Sequence, residues 1–226
     1  MKEILKIGLD SAAPFPMHTD FHSDLFEGFE VDLMQHIADH LNLELQYETS
    51  LWKNILERLY KGQLDMICSA VTMTTSRQRI LEFSIPYLQF RLCAVVNREN
   101  SFHTMGSLDH KIIGIRTATE AEKYIMEKFP SHEVVHADRN VDLYKMLLNK
   151  QIDVLIDDSP IAGAFIKKYP GLEIGMFLPN THSQYGIAMK KGDTPLRLRI
   201  NDTLIMLKEN GVYHKLYKKW FSQIEL

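Results

Sequence analysis

The chain has 226 residues, 45% of them hydrophobic and 24% charged, with a net charge of −3. This is the composition of an ordinary globular protein, with material for one domain or two small lobes. No apolar run approaches the roughly 20 residues of a membrane-spanning helix, and no basic run interleaves with aromatics as nucleic-acid binding would require.

Residues 4–9 read as a first strand that ends at Asp10 in a proline-containing loop. That loop holds His18-x-Asp20-x-His22-x-Asp24, an alternation of potential metal ligands whose spacing matches no metal motif, so no metal is expected. Residues 29–41 read as a helix with Val31, Met34, Ile37, Ala38 and Leu41 on one face. A strand at 43–47 follows. The next helix buries Trp52, Ile55, Leu56 and Leu59 and stops at Gly62, the residue type that closes helices.

The apolar run after Gly62 predicts a buried strand ending in small residues, Ser69-Ala70-Val71-Thr72. Thr75-Ser76-Arg77-Gln78 then has the form of a capping box and predicts a short helix. An arginine in a first helical turn opposes the helix dipole. It can serve there as a carboxylate partner beside free backbone N–H groups, or it can cap a neighbouring carbonyl or make a surface ion pair.

Residues 88–96 read as one long strand leaving this first unit, and the same grammar then repeats. A strand at 112–115 precedes Thr117-Ala118-Thr119-Glu120, a second capping box, whose helix must end before Pro130. A strand at 133–136, a helix near 140–149 and a strand at 153–156 lead to a helix begun by Ser159-Pro160. Residues 185–189 read as a returning strand. Helices from Asp193-Thr194-Pro195 and over 212–221 close the chain. Strands alternating with single helices imply an α/β protein whose sheets are largely parallel and covered by helices. Cys68 and Cys93 sit in apolar runs, where free cysteine behaves as a small hydrophobe, although neighbouring strands could also pair them.

Five blocks, in order, resemble the bacterial extracellular solute-binding proteins that serve polar amino acids. They are Gly28-Phe29-Glu30-Val31-Asp32-Leu33, the stretch from Trp52 through Thr72-x-Thr74-x-x-Arg77 to Pro86-Tyr87, Asp153 to Pro160, Tyr185-Gly186-Ile187-Ala188, and Gly211 to Phe221. The resemblance spans nearly the whole chain. It implies a two-lobed periplasmic-binding-protein-like fold of type II, with a ligand cleft between the lobes. Residues 1–90 and 186–226 would form a discontinuous lobe one and residues 91–185 lobe two, joined by extended crossings near 88–95 and 183–188.

The same resemblance implies a non-enzymatic monomer, periplasmic or extracellular, that captures a free amino acid by hinge closure. It would be the substrate-binding component of an ABC uptake system, with a membrane permease as partner and no cofactor or nucleic acid. The first ten residues read as strand rather than as a leader. Two alternatives are the sensing domain of a membrane receptor and a dehydratase of the arogenate or prephenate type on the same fold. The latter needs a general acid or base, and Glu173 and His182 lie outside any motif that supplies one.

By resemblance, Arg77 holds the ligand carboxylate with its planar fork, and Ser69, Ala70 and Thr72 add backbone or hydroxyl contacts. Asp158 takes the ammonium and Thr119 makes a second carboxylate contact. Asp157-Asp158-Ser159-Pro160 is also the composition of an ordinary helix start, Thr119 is also a capping residue, and Trp52 is either core or a wall for the ligand. The chain departs from the family at Ala118, where glycine is usual, at Asp157, where a small or neutral residue is usual, and before Pro14, where an aromatic is usual. Phe15 or Phe21 would replace that aromatic. Asp10 stands where relatives specific for basic amino acids reach the side chain. With Asp157 and Asp158 it makes a negative set that favours arginine or lysine over glutamine, because a buried carboxylate without a partner is costly.

Overall fold

The computed structural model describes residues 2–13, 17, 26–100 and 103–221. Phe15, Phe21 and the His18-to-Asp24 alternation lie outside the described residues. In chain order the elements begin β1 Glu3–Asp10, α1 Phe29–Leu41, β2 Leu43–Ser50, α2 Trp52–Tyr60, β3 Met66–Ile67, α3 Thr75–Ile80, β4 Leu81–Phe83 and β5 Leu88–Phe90. Next come β6 Leu92–Asn97, β7 Ile113–Arg116, α4 Glu120–Lys128, β8 Val134–Ala137, α5 Asn140–Leu148, β9 Val154–Asp158 and α6 Ser159–Lys168. The chain closes with β10 Leu172–Phe177, β11 Ser183–Tyr185, β12 Ala188–Lys190, α7 Thr194–Glu209 and α8 Val212–Phe221.

Two compact units form, Met1–Gln89 with Gln184–Gln223, and Phe90–Ser183. In the first, the sheet order is β2-β1-β3-β12-β4. Strands β1, β2 and β3 are parallel, and β12 runs antiparallel to β3 and β4. Helix α2 drives Trp52, Ile55 and Leu59 into a cluster with Leu64, Ile67, Val71 and Phe83. Helix α1 buries Leu33, Met34 and Ile37 and packs against α7 and α8, where Phe29 meets Phe221 with ring centroids 5.0 Å apart.

The second unit has sheet order β10-β6-β9-β7-β8, with β7 parallel to β8 and β9 and with β6 antiparallel to β9 and β10. Its core joins Val95, Leu143, Leu147, Leu155 and Phe165, and Tyr144 stacks on Phe165 with centroids 3.9 Å apart. Both sheets are therefore mixed, where the repeated strand–helix grammar predicts largely parallel ones. The returning strand β12 and the strand β6 run against the crossover direction, and β10, antiparallel to β6, runs with β7, β8 and β9.

The run at 88–96 is two strands, broken at Arg91. Ser159 takes both of that residue's backbone groups: its N–H donates to the Arg91 carbonyl at 2.9 Å and its hydroxyl accepts the Arg91 N–H at 3.3 Å. No ladder can continue through a residue so occupied. The expected strand at 185–189 is likewise divided, into β11 and β12. Gly186 lies between them, and a Cβ there would meet the Met73 sulfur at 2.7 Å. β10 is a strand that the sequence reading did not include. Cys68 and Cys93 are both free and fully buried, one in each unit, and burial pushes both thiols well above their ordinary value, as expected of inert core cysteines.

Candidate functional site

In open α/β sheets, ligands are bound beyond the carboxyl ends of the parallel strands, where the chain turns away and leaves backbone groups accessible. In the first unit, β1 and β3 are parallel neighbours. β1 ends on Asp10, and β3 runs out into Cys68 to Thr72. These two ends are tied together, because the Asp10 N–H donates to the Ser69 hydroxyl at 2.9 Å. Asp10 is 2% exposed, and one oxygen of its carboxylate accepts the Ala12 N–H at 3.0 Å, fixing the turn that follows. Ser69 and Thr72 are also buried, and Ala70 holds a left-handed backbone with φ +49°.

Arg77 is the third residue of α3, a helix with no buried residue of its own. The cap of α3 is Thr74, whose hydroxyl accepts the Arg77 N–H at 3.2 Å, so the expected box beginning at Thr75 is displaced by one residue. Thr74 has the extended backbone that a cap needs, whereas Thr75 is already helical. The half-buried Arg77 side chain turns back to the strand end, donating from one terminal nitrogen to the Thr72 carbonyl at 3.1 Å. Its guanidinium lies over the Trp52 ring, 5.2 Å from the centroid. Trp52, which sequence left between core and ligand wall, belongs to the core cluster of α2 and supports that guanidinium.

In the second unit the same pattern recurs on β7 and β9, parallel neighbours. β7 ends at Arg116 and leads to Thr119, and β9 ends at Asp158. Thr119, not Thr117, caps α4: its hydroxyl accepts the Glu122 N–H at 3.3 Å and donates to the Arg116 carbonyl at 2.7 Å. The Glu122 carboxylate completes the box by accepting the Ala118 N–H at 2.7 Å. The box is therefore Thr119 with Glu122, two residues later than the sequence pattern placed it, because Ala118 takes a left-handed turn with φ +61° before the helix starts. Asp158 precedes α6, yet its side chain makes no capping hydrogen bond there.

Asp157 has a different position from its neighbour. Its carboxylate points into the second unit, where it accepts the Asn140 amide at 2.8 Å, the Tyr144 phenol at 3.1 Å and the Asp158 N–H at 2.9 Å. Sequence reading missed Asn140 and Tyr144, which the pairing of α5 with β9 brings there. Burial raises the Asp157 carboxyl from 3.8 to about 6, against the lowering effect of those hydrogen bonds. The native state therefore holds more protons than the unfolded chain between about pH 4 and pH 6, so the stability from this group is complete below about pH 4 and is lost as pH rises through about 6. The loss is about 3 kcal/mol. Asp157→Asn is expected to lack it. Denaturant unfolding at about pH 4 and about pH 7 checks this, and parallel pH profiles for wild type and variant would refute it.

Glu30 is a further residue that sequence reading did not single out. It is fully buried in the first turn of α1, with its carboxylate on the Ala70 N–H at 2.6 Å and on the Tyr87 phenol. A signal was available. Glu30 falls on the apolar face of α1, four and seven residues before Met34 and Ile37.

Among the described residues no group of acidic, histidine or cysteine side chains could hold a metal ion, and no helix is long and apolar enough to cross a membrane. The probable histidine-binding protein of Neisseria gonorrhoeae is 29% identical over 203 residues, covering 87% of this chain and 75% of that protein. The solved structure of a P235GK mutant of ArgBP from T. maritima matches with TM-score 0.89 and 32% identity, over 97% of this chain and 95% of that one. An ancestral arginine-binding protein bound to arginine matches with TM-score 0.89 and 27% identity, over 98% and 99% of the two chains, and has also been solved bound to glutamine. The sequence profile of the bacterial extracellular solute-binding proteins, family 3, matches residues 5–223, and the chain belongs to that family.

Proposed function

We propose that this protein binds a free basic amino acid, arginine or lysine, by hinge closure, as the substrate-binding component of an ABC uptake system. Its partner is a membrane permease, and its place of work is the periplasm or the extracellular side. The observation that carries the reading is the doubled strand-end pattern: in each unit, two adjacent parallel strands end at or just before the residues assigned here to a free amino acid. Arg77 takes the carboxylate, with Ser69, Ala70 and Thr72 beside it. Asp158 takes the ammonium and the turn at Thr119 supplies a second carboxylate contact.

The choice of a basic side chain rests on Asp10, a buried carboxylate at the end of β1. Asp157 drops out of that argument, since Asn140 and Tyr144 already occupy its carboxylate. Relatives that carry histidine or arginine in their names are consistent with the choice. Binding is favoured over catalysis because Glu173, one candidate acid, is paired with Arg98 at 3.3 Å.

A thermal-shift screen across the amino acids tests the reading, because a ligand that binds only the native state raises stability by mass action. Arginine or lysine should raise the melting temperature most, and a saturating dose should lower the radius of gyration in small-angle scattering. Stabilisation by glutamine or an acidic amino acid alone would overturn the choice of ligand. No response to any amino acid would overturn the function, and an unchanged scattering profile would overturn hinge closure.

A further inference from the structure

We propose that Glu30 is a positioning residue for the binding segment: its buried carboxylate holds Ala70 in the left-handed conformation that presents Ser69 to Thr72. The proposal rests on the functional reading above only for its effect on affinity.

The segment is pinned on either side of Ala70. Ser69 receives the Asp10 N–H, the Val71 carbonyl receives the Gly186 N–H at 3.1 Å, and the Met73 N–H donates to the Gln184 carbonyl at 2.9 Å. Between these pins Ala70 sits at φ +49°, where an L side chain crowds the following carbonyl and persists only if its surroundings hold it. Glu30 is what meets its N–H, at 2.6 Å. A carboxylate with no exposed surface is costly to bury, and it is retained here by bonds in which the acceptor carries charge.

The second donor to the same oxygen is the Tyr87 phenol, itself fully buried. Burial first, and then the Glu30 charge, push that phenol well above its ordinary value, so it remains a donor. Tyr87 is fixed in turn, its N–H on the Tyr185 carbonyl at 3.0 Å and its own carbonyl accepting the Tyr213 hydroxyl. The clamp thus carries the rigidity of α1 and α8 to a turn whose carbonyls and N–H groups must stand within about half an ångström of their partners. Glu30 acts through Ala70, and no contact of its own with a ligand is required.

Two variants and two readouts test this. Glu30→Met keeps the shape and removes the acceptor, while Glu30→Gln keeps an acceptor oxygen and removes only the charge. Calorimetry with arginine should show affinity lowered about ten- to a hundredfold for Glu30→Met, and recovered to within about threefold of wild type by Glu30→Gln. The Ala70 Cα and Cβ chemical shifts, read without ligand, should leave the left-handed range in Glu30→Met and keep it in Glu30→Gln. Wild-type affinity and unchanged Ala70 shifts in Glu30→Met would overturn the proposal. Should wild type bind no amino acid, the functional reading fails, while the shifts still decide the role of Glu30. Should Glu30→Met not fold, hydrogen exchange in the wild-type protein decides: the Ala70 N–H should exchange as slowly as the β3 amides, and exchange at the rate of an exposed amide would overturn the clamp.

Discussion

Arg77→Ala is expected to weaken arginine binding by about 2–5 kcal/mol, roughly 30-fold to several thousandfold, while leaving the fold in place. The cost is large because the variant removes a planar, permanently charged donor and leaves the ligand carboxylate buried without it. The fold survives because α3 buries none of its residues, and the lost contacts include a hydrogen bond to the Thr72 carbonyl and the stacking on Trp52. Together these should cost stability only about 1–2 kcal/mol. Titration calorimetry with arginine and with its decarboxylated analogue agmatine separates the assigned role from a general one. Wild type should prefer arginine strongly, and the variant should bind the two alike. A variant that kept both the affinity and the preference would remove Arg77 from the site.

Asp158→Asn is the second large effect, a loss of about 1.5–3 kcal/mol in arginine affinity, or roughly ten- to 150-fold. The substitution keeps size and hydrogen-bonding capacity and deletes the charge that an ammonium needs. Helix α6 and the backbone pairing of β9 with β6 should be kept, because the Asp158 side chain does not cap α6 and the ladder uses backbone groups. Arginine acylated on its α-nitrogen, which carries no ammonium, should bind wild type and variant equally weakly. Unchanged arginine affinity in Asp158→Asn would return Asp158 to the role of an ordinary residue at a helix start.

Asp157 and Asp158 show why adjacent residues needed the structure to be told apart. Side chains alternate along a strand, so neighbours at the end of β9 face opposite ways. Sequence offers both as carboxylates near a helix start. Tertiary packing sends Asp157 to Asn140 and Tyr144, with its acidity weakened by burial, and leaves Asp158 at the strand end. The two capping boxes carry a related lesson. Both Thr74 and Thr119 cap, the first one residue before and the second two residues after the positions the Thr-x-x-Gln and Thr-x-x-Glu patterns marked. A box motif requires only the spacing, whereas the cap is fixed by the backbone angle at which the preceding strand delivers the chain.

Sequence alone determined the α/β class, the order of most elements and the family, because periodic burial and turn chemistry are local and each of the five motif blocks is a single stretch of chain. It also marked Arg77, whose charge is out of place in a first helical turn unless it has a partner. Tertiary structure alone decided the antiparallel strands, the break at Arg91 and the clamp of Glu30 on Ala70. Each depends on residues far apart in the chain: Arg91 on Ser159, and Glu30 on a turn 40 residues away and on Tyr87. No local propensity encodes a hydrogen bond across such a separation. It exists only once packing has paid the entropy of bringing the segments together.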